Sequence, residues 1–116
     1  MRRNEIVELS LEFSLELITY CELLEEKRKY VIARQLLRSG TSIGANVREA
    51  QNSESRPDFI HKLKIAAKEA EETSYWLVLC ERSDNYPPPG NLPQQVTGIQ
   101  KILNRIIATM KTRLQT

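Results

Sequence analysis

The chain has 116 residues, of which 41% are hydrophobic and 28% are charged, with a formal net charge of +2. This length suits one domain, because two would each have too little apolar surface for a stable core, and the composition excludes a disordered chain. No run reaches the roughly 18 uncharged apolar residues that cross a bilayer, and the first residues lack the apolar core of a secretory signal. We therefore expect one domain that stays in the cytoplasm.

The charges are distributed unevenly along the chain. Residues 1–26 carry a net charge of −5, residues 27–84 carry +3, and residues 85–116 carry +4 with no acidic residue. Opposite charges attract, and the first and last helices of an antiparallel bundle are usually neighbours. The acidic first segment and the basic last segment are therefore predicted to lie side by side.

The first predicted helix, residues 4–26, has an apolar face wider than a two-stranded seam needs. One stripe consists of Val7, Leu11, Ser14, Ile18 and Cys21, and a second consists of Ile6, Leu9, Phe13, Leu17, Tyr20 and Leu24. A face this wide is typical of a helix that packs against two or more others. The positive run at 27–29 complements the helix dipole and predicts a short connection.

The second predicted helix, residues 30–52, has an apolar spacing that continues through two glycines. A glycine inside a helix costs about 1 kcal/mol relative to alanine, so Gly40 and Gly44 need a compensating role. Small residues, including Ala45, flank Ile43 on both sides, which would let another helix backbone come close. The alternative is a loop that divides the segment at the glycines, although no proline interrupts the pattern.

The third and fourth predicted helices have clear boundaries. Ser55 is a candidate N-cap with Pro57 in the first turn, and a regular heptad pattern extends the third helix over residues 56–83. Three prolines at 87–89 cannot continue a helix, so they form a stiff connector to a fourth helix over residues 92–114. The apolar face of the fourth helix consists of Val96, Ile99, Leu103, Ile106, Met110 and Leu114. The predicted fold class is all-α, an antiparallel up-and-down four-helix bundle formed by a single domain, residues 1–116.

Residues suited to catalysis or metal binding are sparse. The single histidine, His61, follows Asp58 by three residues, but di-metal helical bundles use two such pairs with further carboxylates. Asp58 is better explained as part of the helix cap. Cys21 and Cys80 each lie on an apolar stripe, which favours reduced, buried packing residues. We predict no catalytic residue, no cofactor or metal site and no small-molecule substrate.

Basic side chains point to a possible nucleic-acid function. Arg34, Arg38 and Arg48 share one flank of the second helix, and Lys101 and Arg105 lie on the fourth. These five residues are candidate contacts for RNA or DNA phosphates, although a monomer with a net charge of +2 would bind phosphate weakly. Repeating them around an oligomer would raise the affinity by avidity. The simpler interpretation is a solvated surface.

Two adjacent aromatic residues, Tyr75 and Trp76, occupy the third helix. Neighbouring helix positions point about 100° apart, so at most one of the two side chains faces the core squarely. The other is a candidate contact at a subunit interface, where tyrosine and tryptophan are favoured. Packing of both within one bundle is the alternative.

The second and third helices together carry a family resemblance. The segment at 35–50, QLLRSGTSIGANVREA, is followed by Phe59, Leu63, the pair at 65–66, the three residues at 68–70, and the run from Glu72 to Leu77. These residues resemble the 23S rRNA-intervening sequence proteins, a bacterial-type family of four-helix bundles, over nearly the whole chain. Gly44 departs from the family pattern, in which proline is common at this position.

The resemblance implies a bundle that assembles into a homopentameric ring. It also implies a similarity to the accessory protein of diversity-generating retroelements, a basic pentamer that engages a reverse transcriptase and nucleic acid. Two hypotheses follow: a non-enzymatic homo-oligomeric interaction module, or a nucleic-acid-binding accessory protein with a polymerase or ribonucleoprotein partner. The modest net charge of +2 weakens the second hypothesis for this chain.

Overall fold

A computed structural model of the protein describes residues 5–115, with side chains as far as residue 113. Within this range the chain forms four helices, which are α1 (Glu5–Glu26), α2 (Tyr30–Ala50), α3 (Arg56–Arg82) and α4 (Leu92–Gln115). The predicted start of the first helix at Asn4 and the predicted core side chain of Leu114 lie outside the described residues.

The four helices form the predicted up-and-down bundle. Each helix packs against its neighbours in the order α1, α2, α3, α4 and back to α1, while α1 and α3, like α2 and α4, lie on opposite corners with no close approach of their backbones. The molecule is a rod of 52 × 23 × 22 Å. None of the described helices is both long enough and apolar enough to cross a membrane.

The acidic α1 and the basic α4 are neighbours, as the charge distribution predicted, but they form the loosest of the four contacts. Gln95 donates a hydrogen bond of 3.1 Å to Glu16 across this contact. Arg113 aside, no ion pair joins the two helices among the residues the structure describes. Lys101 and Arg105 instead face solvent.

One of the two apolar stripes predicted on α1 supplies most of the residues that this helix contributes to the core. Its buried hydrophobic residues include Ile6, Phe13, Leu17, Tyr20 and Leu24. From the other stripe Cys21 is buried, whereas Leu11 and Ile18 are exposed. The reason is geometric, because α1 packs against α2 and α4, and the surface of α1 that points away from them has no partner helix in the described part of the chain.

The second helix is continuous through both glycines, so the alternative of a loop at this point is wrong. Gly40 is buried against Leu17 of α1, and a Cβ atom at Gly40 would lie 2.0 Å from Leu17 Cδ2. Gly44 lies beside Ser10, with its Cβ position 3.5 Å from the Ser10 carbonyl oxygen. The helix ends at Ala50, two residues earlier than predicted, because the amides of Gln51 and Asn52 bond to carbonyls three residues back.

The turn between α1 and α2 contains a non-glycine residue with positive φ. Arg28 has a φ of 65°, and its amide donates to Glu25 while the amide of Lys29 donates to Leu24. This is the Schellman arrangement, which usually places glycine at the left-handed position. The Lys29 ammonium then lies 4.9 Å from the ring centre of Tyr86, which ties the turn to the connector before α4.

The other two connections follow the predicted chemistry. Ser55 is the N-cap of α3, and its side chain accepts a 3.2 Å hydrogen bond from the amide of Asp58. The proline-rich connector is fixed to α1, because the Tyr20 hydroxyl donates a 2.7 Å hydrogen bond to the carbonyl of Pro87. Gly90, with a φ of 60°, allows the chain to turn into α4.

A pair of hydroxyl groups is buried between α2 and α3. Ser39 and Thr73 are both fully buried, and their hydroxyl oxygens form a hydrogen bond of 2.8 Å. The Thr73 hydroxyl also bonds to the Glu69 carbonyl at 2.7 Å, whereas the further contact of Ser39, to the Leu36 carbonyl, is a longer 3.4 Å. Buried polar groups are costly unless satisfied, so this pair favours one alignment of α2 against α3.

Candidate functional site

An exposed apolar surface lies on α1 and α2. Most of the exposed large hydrophobic residues are on these two helices, including Leu11 (42% exposed), Leu15 (58%), Ile18 (38%) and Leu37 (38%). The first three recur at helical spacing along α1, and Leu37 belongs to the side of α2 that faces α1. We call this surface the α1–α2 face. Single exposed apolar residues are common on proteins, but a contiguous stripe marks an interaction site.

A groove of about 360 Å³ runs along the centre of the α1–α2 face. Its floor and walls are made mainly of small residues, because the glycines of α2 draw the two helices together. The lining residues are Val7, Ser10, Leu11, Ser14, Thr41, Gly44, Ala45 and Arg48. Of the four residues predicted for close helix packing, Gly40 and Gly44 lie against α1 and Ile43 is in the core, whereas Ala45 is exposed beside this groove.

Charged residues border the α1–α2 face on both sides. Glu8 and Glu22 are exposed on α1, and Arg34 and Arg48 are exposed on α2. None of these four side chains forms an ion pair within the described part of the chain. The face therefore has an apolar centre, an acidic border on one helix and a basic border on the other.

Arg38, the third arginine predicted to contact phosphate, is already paired. Its guanidinium forms salt bridges with Glu69 and Glu72 of α3, the former at 3.5 Å. The same group contacts Gln35 at 3.4 Å. The side chain is half exposed, so these pairs contribute little to stability, but they neutralise the positive charge that a phosphate would use.

The five predicted phosphate contacts do not form one patch. Arg34, Arg38 and Arg48 are on α2, and Lys101 and Arg105 are on α4, which lies diagonally opposite. Exposed side chains on opposite corners of a bundle point in opposite directions. Within one chain the structure therefore brings together at most the arginines of α2.

A different basic cluster joins α3 and α4. Lys64 on α3 lies close enough to Lys111 on α4 that the second ammonium lowers the pKa of Lys64. His61 and Lys68 extend the same exposed side of α3. The contribution of Lys111 to this cluster depends on the packing of α4 against α3, which local sequence spacing does not specify.

The two aromatic residues of α3 have different environments. Trp76 is half-buried against the core, and its indole N–H donates a 3.0 Å hydrogen bond to Glu72. Tyr75 is 58% exposed, with its ring centre 5.5 Å from that of Trp76. Neither side chain faces the core squarely.

The groups with raised pKa values are structural. Burial raises the pKa of the Cys21 thiol to about 12, and burial also raises the pKa values of Tyr20 and Cys80. The thiols are free and face the core rather than a cleft. Among the described residues no three histidine, cysteine or carboxylate side chains are grouped so that they could hold a metal ion.

Comparison with known proteins places the chain in a family. The family model described as 23S rRNA-intervening sequence protein matches residues 2–105. The chain belongs to the 23S rRNA-intervening sequence protein family. No curated protein matches it.

A solved structure agrees with this assignment. It is the crystal structure of a protein from Bacteroides thetaiotaomicron, described as having unknown function and belonging to the S23 ribosomal protein family. The two chains are 45% identical, the match covers 88% of this chain and 97% of the other, and the TM-score is 0.82. This solved relative therefore agrees with the four-helix fold of the chain.

Proposed function

We propose that this protein is a non-enzymatic interaction module of the cytoplasm that assembles with copies of itself, with a homopentameric ring as the assembly. The observation that carries the proposal is the α1–α2 face, whose leucine and isoleucine side chains are left in solvent by the single chain. Burying such a stripe against a partner removes apolar surface from water at roughly 25 cal/mol per Å². The number of subunits comes from the resemblance to ring-forming members of the family.

Two features of the structure favour the non-enzymatic part of this proposal. The titratable groups with raised pKa values are buried tyrosine and cysteine side chains that pack in the core. A general base or nucleophile needs a partner that orients it beside a cleft. The groove of the α1–α2 face is lined mainly by small and aliphatic side chains, with Arg48 as its one charged residue.

Light scattering at several protein concentrations tests the assembly. The chain has a mass of 13.4 kDa, so a pentamer would have a mass of about 67 kDa. The proposal predicts a mass several times that of one chain at micromolar concentration. A constant mass of one chain up to millimolar concentration would contradict it.

A second candidate function is binding of RNA or DNA, and the observation that favours it is the approach of Lys64 to Lys111. Two neighbouring ammonium groups repel each other, and a bound phosphate would relieve that repulsion. A ring would also repeat Arg34 and Arg48 around its axis and add avidity. Gel-shift titrations with single-stranded RNA and duplex DNA at low salt test this function, which fails if neither is shifted.

A further inference from the structure

The contacts between α1 and α2 determine which residues lie at the same height on the rod. Leu17 lies beside Gly40, and Ser10 lies beside Gly44, so the two helices run antiparallel in a defined register. Counting from these contacts brings Glu22 level with Arg34, and Glu8 level with Arg48, to within about two residues. The acidic border of the face therefore matches the basic border at both ends.

A closed ring whose axis runs parallel to the helices preserves these heights. Rotation about such an axis moves each copy sideways without shifting it along the rod, so α1 of one copy can meet α2 of the next only at equal height. The acidic residues of α1 would then lie opposite the arginines of the neighbouring α2. Between them, Leu15 would lie near Thr41, and Leu11 near Ala45, so that large apolar side chains meet small ones.

We propose that the α1–α2 face is the surface through which copies of this chain associate, with Glu8 and Glu22 of one copy opposite Arg48 and Arg34 of the next. This inference rests on the self-association proposed above and adds the surface and the register. The occupant is a second copy of this chain, because a single surface carries both members of each charge pair at matching heights. Electrostatic complementarity of this kind selects partner and register more than it adds affinity.

Charge exchange at one pair tests the register. Three variants are compared with the wild type by sedimentation velocity over a range of concentrations: Glu22→Arg, Arg34→Glu and the double variant Glu22→Arg/Arg34→Glu. Each single change places like charges opposite each other and should raise the concentration at half-dissociation about tenfold. The double variant restores an opposite pair and should recover most of the loss.

Two control variants carry the same charge changes at positions outside the α1–α2 face. Glu81→Arg on α3 and Arg105→Glu on α4 replace exposed residues and should leave association unchanged. All of the substituted side chains are exposed, so circular dichroism should report the same helical content throughout.

The outcomes separate the two proposals. A wild type that assembles but is insensitive to both single changes would overturn the assigned surface while leaving self-association intact. A double variant as weak as the single variants would overturn the register. A monomeric wild type would overturn both proposals, and the partner of the α1–α2 face would then be a different protein.

Discussion

Gly40 of α2 and Leu17 of α1 are in such close contact that a Cβ atom at Gly40 would lie 2.0 Å from Leu17 Cδ2. Both residues are buried, Leu17 fully, so Leu17 cannot move aside without displacing other core side chains. The glycine that weakens α2 as an isolated helix is therefore the residue that lets α1 and α2 approach, and this approach shapes the groove of the α1–α2 face.

The first prediction concerns this contact. Gly40→Ala should lower the free energy of unfolding by about 1–3 kcal/mol, because the added methyl group overfills the core. Gly44→Ala is the matched control, since its Cβ would be in ordinary contact with Ser10, 3.5 Å from the carbonyl oxygen. Alanine should stabilise that helical position by up to about 1 kcal/mol. Urea denaturation measures both changes, and equal effects of the two substitutions would contradict the assigned role of Gly40.

A second prediction concerns the buried hydroxyl pair. Thr73→Val removes the 2.8 Å hydrogen bond and leaves the Ser39 hydroxyl with only its 3.4 Å contact to Leu36, at a cost of about 1–2 kcal/mol. Adding Ser39→Ala to Thr73→Val removes the hydroxyl that has lost its hydrogen-bond partner, and the double variant should regain part of the lost stability. The double-mutant cycle should show coupling of at least about 0.5 kcal/mol. Strictly additive effects would show that the two hydroxyls do not act as a pair.

The turn after α1 gives a third prediction. Arg28 has a φ of 65°, a conformation that costs a non-glycine residue roughly 1 kcal/mol or more. Arg28→Gly should raise the free energy of unfolding by about 0.5–1 kcal/mol, because relief of this strain outweighs the extra freedom of glycine in the unfolded chain. Thermal denaturation checks the direction. Arg28→Ala keeps a Cβ at the strained position and serves as the control, which should not be stabilised.

Alkaline pH should destabilise the fold through its buried thiol. The Cys21 pKa is raised from 9.0 to about 12, so between these values the unfolded chain loses its proton first and the folded state loses stability as pH rises. The slope should be about 1.4 kcal/mol per pH unit for this group, and Tyr20 and Cys80, also raised, add to it.

Cys21→Ala isolates the contribution of this thiol. The substitution should lower stability at pH 7 but flatten its decline above pH 9, and urea denaturation at several pH values measures the slope. An unchanged slope in the variant would show that Cys21 does not titrate in this range.

The fold was predictable at those positions where the sequence pattern is compatible with only one local structure. The heptad spacing of α3 admits one buried stripe, the Ser55 cap marks its start, and three successive prolines prevent α3 and α4 from joining. The role of Gly40 was also predictable, because a glycine within an unbroken apolar pattern implies close packing of a neighbouring helix.

The candidate site was only partly predictable. Both apolar stripes of α1 are hydrophobic enough for a core, and the positions of α2 and α4 decide that Leu11 and Ile18 stay outside. The pairing of Arg38 with Glu69 and Glu72 depends on the register of α2 against α3, which local spacing does not specify. The left-handed conformation of Arg28 has no sequence signal, since this turn lacks glycine.

Leu15 provides the most direct test of the proposed assembly, because it is the most exposed residue of the apolar stripe on α1. Leu15→Glu should place a carboxylate at the centre of the interface and convert the assembly to monomers without loss of helical content. Ala108→Glu adds the same group to an exposed position on α4 and is the control. The decisive measurement is the mass of wild type and both variants by light scattering at the same concentration. The account predicts oligomers for the wild type and Ala108→Glu and a monomer of 13.4 kDa for Leu15→Glu; equal masses for all three proteins would contradict it.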